Sequence, residues 1–423
     1  MADSIISAID IGSSKIATII GIESKDTDEL RIIGFNSTSS RGVKKGLVVD
    51  IDKVTSALEE SIEKAERMAG QKVHSAIVSV GGPHISSLNS RGVVAVADSQ
   101  GEISDTDINR VVEAARAISL STTRQIIEVS PRDFIVDGQE GIKNPIGMSG
   151  VRLEVDTHLI TASHTNLKNI DRCMENVGVQ NDGFIFSGLA SAEAVLTDTE
   201  KELGVVVVDI GGGKTDIALY VDGSLSYSSS IPIGAKHITN DIAVGLRVSL
   251  DSAEKIKLYL SKKLDHRQDK TKRKIEELNI LDLQLPEVVD QFDVKLLIDG
   301  IIGPRLEELF KFVSDEIVKS NYMEHIPSGL VITGGGALTV GVVEMGRKIV
   351  GLPIRVGVPS RVTGLVDEVL DPQYASTVGL ILYGRKNIMS KEEGFKNFNK
   401  ILKDFSVGQS VDKVKDFFKQ FIP

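Results

Sequence analysis

The strongest constraint on this chain is a pattern that occurs twice. An apolar run over residues 5–11 carries Asp10 near its end, Gly12, Ser13 and Ser14 follow, and beyond Lys15 a second apolar run spans 16–22. The same order returns over 204–220, with Asp209, then Gly211, Gly212 and Gly213, then Lys214, Thr215 and Asp216, then apolar residues again. Each reads as a β-hairpin closed by small residues. Two such hairpins, about 200 residues apart, are the trace of a duplicated fold.

A turn without bulky side chains lets backbone N–H groups converge on an anion. Gly12, Ser13 and Ser14 supply such a cradle, and Lys15 can set a cation against phosphate oxygens. Asp10 and Asp209, each just before a glycine turn, are placed to hold a hydrated divalent cation that bridges phosphates. Two turns facing each other across a cleft can clamp one triphosphate. For each turn alone, a hairpin with no ligand is the competing reading. The third turn, Gly334, Gly335, Gly336 and Ala337, between a strand at 330–333 and an apolar helix reaching 349, moves the set towards a ligand site.

Between the hairpins, residues 54–69 carry an apolar helical stripe stopped by Gly70 and followed by a strand at 76–80. From about 84 to 156 the pattern changes to short strands (91–97, 124–129, 133–136) around one helix, 105–118, which predicts a small inserted α+β subdomain. The mixed α/β pattern is expected to resume at 155–161. His74, His84, His158, His164 and His237 show no metal-ligand spacing and read as satisfied structural histidines.

With 423 residues the chain is long enough for about three cores, and 41% hydrophobic and 26% charged residues exclude a disordered chain. A net charge of -10 argues against general nucleic-acid binding. The single cysteine, Cys173, can form no intramolecular disulfide, which fits a reducing compartment. The first residues lack a basic leader, and no run of about 18 apolar residues occurs, so neither secretion nor a membrane span is expected.

The motifs resemble a known superfamily. AIDIGSSKIATIIG (8–21) is similar to the first phosphate loop of the actin, Hsp70 and sugar-kinase group, VVVVDIGGGKTDIALY (205–220) to its second, and GLVITGGGALTVGV (329–342) to its adenosine loop. FIFSGLASAEAVL (184–196), IPIGAKHITNDIAVGL (231–246) and DSAEKIK (251–257) resemble the FtsA family more narrowly, the bacterial actin homologues of cell division. The resemblance covers about residues 5–385 and the extreme C-terminus.

It implies an α/β, actin/Hsp70-like (ribonuclease H-like) duplicated fold with an FtsA-type inserted subdomain and a C-terminal amphipathic tail. Subdomain 1A would comprise 1–83 and 161–203, subdomain 1C 84–160, subdomain 2A 204–230 and 326–386, and subdomain 2B 231–325. Residues 387–410 would be a linker and 411–423 a membrane-targeting helix. ATP and Mg²⁺ would lie between the halves, held by the residues above together with Gly234, Glu254 and Lys257, the last two reaching the ribose and adenine or, as the competing reading, forming an exposed salt bridge one helical turn apart. Lys214 stands where the family usually has Thr, and Ala235 where it often has Gly. Ser187 occupies the position at which active ATPases of the group carry Glu or Gln to orient water, so binding should outpace turnover and no catalytic residue is assigned.

Partners implied are further copies of the chain in a head-to-tail filament, the C-terminal tail of FtsZ, lipids of the cytoplasmic membrane, and division proteins through 84–160, all on the inner membrane face at the division site. Seven basic residues against two acidic ones over 262–274 suit an anionic peptide, or form a solvated loop. A pilus-assembly actin homologue of the PilM type and a small-molecule kinase are the rival readings. The tail separates the first from the rest: Phe395, Phe398, Ile401, Leu402 and Phe405 recur 16 residues on as Val411, Val414, Phe417, Phe418 and Phe421. On a helix each set covers an arc of about 120°, with lysines off that face, as in a membrane-surface helix. The first segment either joins the second on the membrane or packs on protein.

Overall fold

The computed structural model describes residues 4–24, 29–98, 100–263, 283, 285–287, 294–365 and 367–386. The chain forms two compact units, 1–382 and 383–423. Most of the second unit, with the tail phenylalanines and Val414, lies outside the described residues, as does most of the basic segment 262–274.

The first half opens with strands β1 (Ser4–Ile11), β2 (Lys15–Ser24) and β3 (Glu29–Ser39), paired antiparallel in order. A two-residue pair, β4 (Val43–Lys44) and β5 (Leu47–Val48), leads into helix α1 (Ile51–Ala69). Its N-cap Asp50 accepts a hydrogen bond from the Lys53 N–H, and Gly70 ends it in the left-handed region at φ 65°. The buried face is Val54, Ala57, Leu58, Ser61, Ile62 and Ala65; the apolar stripe of the sequence, 54, 57, 58, 62, 65 and 69, supplies all of it but Ser61, and Ala69 is only half-buried. Strand β6 (Ser75–Val80) then pairs parallel to β1.

The insertion comprises β7 (Ser86–Ala95), α2 (Asp105–Arg116), β8 (Arg124–Val136), β9 (Gln139–Ile142) and β10 (Arg152–Ser163), in a four-stranded sheet ordered β7-β10-β8-β9. It has its own core of Ile103, Val111, Ala115, Phe134, Val136, Ile142, Leu153 and Val155. Two expectations change here. The strands predicted at 124–129 and 133–136 are one strand, bulged where Arg132 is skipped in the pairing with β10; the bulge falls beside Pro131, which has no N–H for a ladder. The run at 155–161 is not a resumption of the first half but part of β10, one of the two inner strands of this inserted sheet.

The first half closes with α3 (His164–Asn176), β11 (Gln180–Phe186), α4 (Ser187–Val195) and α5 (Asp198–Leu203). The second half repeats the scheme: β12 (Val205–Ile210), β13 (Thr215–Val221), β14 (Ser224–Ile231), α6 (Ala235–Leu246), α7 (Leu250–Lys263), α8 (Val294–Leu297), α9 (Gly303–Lys319), β15 (Leu330–Thr333), α10 (Val342–Val350), β16 (Ile354–Val356) and β17 (Thr363–Gly364).

One sheet runs β11-β6-β1-β2-β3-β17 and the other β14-β13-β12-β15-β16. From β3 to β11 and from β14 to β16 the pairings follow the same order, antiparallel twice and parallel twice. This is the duplication announced by the hairpins. All six residues of β12, VVVVDI, are buried, as a central strand covered on both faces requires. Strand β17, from the second half of the sequence, pairs parallel to β3 and stitches the C-terminal region into the first sheet.

Candidate functional site

Both hairpin turns close in the same way. The Gly12 N–H donates to the Lys15 carbonyl at 3.0 Å, and the Gly211 N–H to the Lys214 carbonyl at 2.9 Å. The two turns then meet. A Cβ placed on Gly212 would lie 1.9 Å from Ser14 Oγ, and one on Gly213 2.9 Å from Ser13 Cβ, so glycine is what permits this approach. Ser13 is further held by the Gly46 N–H, which donates to its Oγ at 2.9 Å, and by Lys236 Nζ, which donates to its carbonyl at 2.6 Å.

The N-terminus of α6 seals the second turn. The backbone N–H groups of Ala235 and Lys236 donate to the carbonyls of Gly211 and Gly212 at 2.9 and 2.8 Å. Gly234 packs so closely that a Cβ there would be 2.4 Å from the Gly211 oxygen. One turn further along this helix pair, Lys257 Nζ donates to Thr239 Oγ1 at 2.9 Å and to Glu254 Oε2 at 2.8 Å, while Thr239 Oγ1 donates to the same carboxylate. Glu254 and Lys257 in turn act electrostatically on Lys236, whose ammonium burial drives below its usual range, so this cluster adjoins the turns.

The third glycine turn sits directly on the second carboxylate. Gly334 adopts φ 80°, and a Cβ on it would fall 2.2 Å from Asp209 Oδ1. Gly336 packs on Ile210, Ala337 donates its N–H to the Gly334 carbonyl, and Gly335 faces Gln373. Asp209 is buried, accepts from Ser191 Oγ at 2.5 Å, and is pushed up to about 6 by burial first and the Asp216 carboxylate second. Asp10 accepts from Ser79 Oγ at 2.6 Å and Thr377 Oγ1 at 3.3 Å.

The two lysines diverge. Lys15 Nζ donates to Gln373 Oε1 at 3.0 Å and lies 4.0 Å from the centroid of the Tyr374 ring. Burial lowers its pKa to about 8 against the pull of Asp10, Asp371 and Asp209. Lys214 Nζ pairs with Asp216 Oδ2 and donates to Ser187 Oγ at 3.0 Å. Burial pushes that ammonium down, yet Asp216, Asp209 and Asp10 push it further up, and it ends above its usual value. Ser187, the first residue of α4, spends its own proton on the Val80 carbonyl at 3.1 Å.

The structure therefore gathers Asp10, Gly12, Ser13, Ser14, Lys15, Asp209, Gly211, Gly212, Gly213, Lys214, Gly234 and the 334–337 turn around one meeting point. Thr215 is an exception: its hydroxyl is committed to the Ile233 carbonyl at 2.8 Å, a strut for β13. Sequence reasoning missed Asp216, Lys236, Ser79, Ser191, Gln373 and Thr377. Asp216 could have been found, as a lone charge at a buried position of an apolar run. His84 also departs from expectation, since both its buried ring nitrogens lack hydrogen bonds and burial, with Lys214 and Arg124 nearby, lowers its pKa to about 4. Among the described residues no three His, Cys, Asp or Glu side chains form a group able to hold a metal ion. Neither is any helix among them long and apolar enough to cross a membrane.

Comparison with known proteins agrees with this architecture. Residues 82–161 match a family model described as the SHS2 domain inserted in FtsA, and residues 206–379 match that of cell division protein FtsA. Cell division protein FtsA of Pseudomonas aeruginosa is 39% identical over 379 residues, covering 89% of this chain and 88% of that protein. Among solved structures, the PilM–PilN type IV pilus biogenesis complex aligns with TM-score 0.62 at 16% identity, over 90% of this chain and 98% of that one. MreB5 of Spiroplasma citri bound to ADP aligns with TM-score 0.51 at 13% identity, over 92% and 98%. These two likenesses fix the fold as actin-like. The duplicated sheets, the inserted domain and the level of identity over most of the chain together place it in the FtsA family of cell division proteins.

Proposed function

We propose that this chain binds ATP with Mg²⁺ where the two hairpin turns meet and hydrolyses it slowly. The observation that carries the reading is the contact of Ser14 with Gly212, which brings two small-residue turns from opposite halves together with Asp10 and Asp209 at the strand ends behind them. The residues fit the ligand. The turns, Lys15, Lys214 and Lys236 suit phosphate oxygens. Asp10 and Asp209 are hard oxygen donors for a divalent cation that takes its remaining ligands from phosphate and water. Gly234, Glu254, Lys257 and the 334–337 turn frame the nucleoside end. Bound Mg²⁺ neutralises phosphate charge. Ser187, a hydroxyl already committed to Val80, is a poor base for activating water, which supports slow turnover.

The chain assembles head to tail into filaments, a contact that does not close and so propagates. It tethers the FtsZ tail to the inner face of the cytoplasmic membrane at the division site through 411–423, with 395–405 assisting, while 84–160 meets other division proteins. Family membership supports this part.

Thermal unfolding with and without ATP and Mg²⁺ tests the first part. At a hundredfold excess over Kd the nucleotide should add about 2.7 kcal/mol of stability, and Asp209→Ala should abolish the metal-dependent share. No shift in the wild-type chain refutes nucleotide binding. Liposome sedimentation of the full chain against one lacking 411–423 tests the tether, and equal binding refutes it.

A further inference from the structure

The second sheet ends at β14, and an edge strand leaves a row of N–H and C=O groups to be satisfied. At Ser228 the inserted domain satisfies them. Ser87 Oγ, on β7, donates to the Ser228 carbonyl at 2.6 Å and accepts from the Ser228 N–H at 3.3 Å, so one hydroxyl stands in for a neighbouring strand. Ser228 Oγ donates to His158 Nε2 at 3.1 Å, and Asn89 holds the other side of that ring. At the far end of β14, Ser224 Oγ donates to the Arg132 carbonyl at 3.0 Å and accepts from Lys143 Nζ at 3.3 Å; Arg132 is the residue skipped by the bulge of β8. At the near end the seam reaches the site. Ser230, on the same face as Ser228, accepts from the Gly82 N–H at 3.1 Å and donates to Asp216 Oδ1 at 2.6 Å.

The inserted domain thus belongs to the first half by chain connection and to the second by these hydrogen bonds. The chain leaves the first half after β6 and rejoins it at α3. A ligand lodged between turns from opposite halves leaves only when the halves part, and parting them pulls β14 off the inserted domain. The groups bonded across the seam are hydroxyls, an imidazole, an ammonium and backbone, and a polar interface of this kind separates more readily than a packed apolar one. We propose that this serine-lined seam is a clasp across the nucleotide site, and that its parting limits how fast nucleotide enters and leaves; the proposal rests on the nucleotide reading. Ser87 bonds to β14 and to nothing in the hairpin turns, so loosening the clasp there should speed entry and release together. Damage to the site itself would speed release alone.

Stopped-flow exchange of a fluorescent ATP analogue on the full chain in Mg²⁺ tests the clasp. Ser87→Ala should raise the association and dissociation rates by about fivefold or more each, the worth of one or two neutral hydrogen bonds, and leave Kd within about threefold. Ser87→Thr, which keeps the hydroxyl, should exchange like wild type. Rates unchanged in Ser87→Ala overturn the proposal, as does faster release with entry unchanged or slowed. A Ser87→Thr chain as fast as Ser87→Ala overturns it too, because the hydroxyl would then not be what holds the seam. A wild-type chain that binds no analogue refutes the nucleotide reading itself, an outcome distinct from binding whose rates ignore Ser87.

Discussion

Lys15 and Lys214 hold the same place in two copies of one hairpin, five residues after Asp10 and Asp209, and their surroundings drive them in opposite directions. In the first hairpin Asp10 pairs across the strands with Ala17; in the second Asp209 pairs with Asp216. That one difference decides the rest. Beside Ala17 the ammonium finds no cross-strand carboxylate, turns to an amide and an aromatic face, and is depressed to about 8. Beside Asp216 it forms a buried ion pair and is held above its usual value. A duplicated backbone thus fixes where a lysine starts. The residue opposite fixes where it ends and how its charge is borne.

The largest test makes the second hairpin resemble the first. Asp216→Ala leaves Lys214 buried without its partner, and breaking a buried pair in this way should cost about 3–5 kcal/mol in urea unfolding. Ser230, whose Oγ donates to the other Asp216 oxygen at 2.6 Å, loses its acceptor as well. Asp216→Ala combined with Lys214→Met removes both charges and should recover much of that loss. If the double variant is no more stable than the single one, the cost comes from packing and the ion pair does not explain the contrast.

His158 shows a third way to bury a basic group, which is to keep it neutral. It lies at the seam between the inserted sheet and β14. Its Nδ1–H donates to Asn89 Oδ1 at 2.7 Å, and Nε2 accepts from Ser228 Oγ at 3.1 Å. Burial, with Arg132 adding to it, lowers its pKa to about 3. The unfolded chain takes up a proton below about 6.5 and the folded one does not, so stability is lost as pH falls through that window. By pH 5 this group alone should cost about 2 kcal/mol. His158→Gln, which offers a donor and an acceptor but no titration, should flatten that part of the acid limb. An unchanged acid limb would show that His158 titrates normally in the folded chain.

Much of this was legible in the sequence because hairpin turns and apolar runs are local. Gly12 to Ser14 and Gly211 to Gly213 announce two closures, and α1 follows from its stripe and from Gly70. What was not legible depends on partners far along the chain. Lys15 meets Gln373 and Tyr374, Asp10 meets Thr377, and Lys236 meets Ser13, contacts across more than 200 residues. Strand β17 is two residues long and has no periodicity to detect, yet it closes the first sheet. The split at Pro131 misled for a related reason, since a proline that reads as a strand end is tolerated once a bulge absorbs its missing donor.

The smallest test returns to Lys15 and turns on the sign of its pH dependence. Its folded pKa of about 8 lies below the ordinary value of 10.5, so between those values the unfolded chain holds the proton and the folded chain does not. Folding stability should therefore rise with pH across that window, by about 1 kcal/mol between pH 8 and 9. Lys214, raised rather than lowered, contributes stability that is complete below 10.5 and is lost only above it. Lys15→Met should remove the rise, and the difference between its urea midpoints and those of wild type, followed from pH 7 to 9, isolates the one group from the tyrosines and other lysines. A wild-type advantage that shrinks as pH rises would reverse the sign and show that Lys15, like Lys214, is stabilised as a cation by the carboxylates around it.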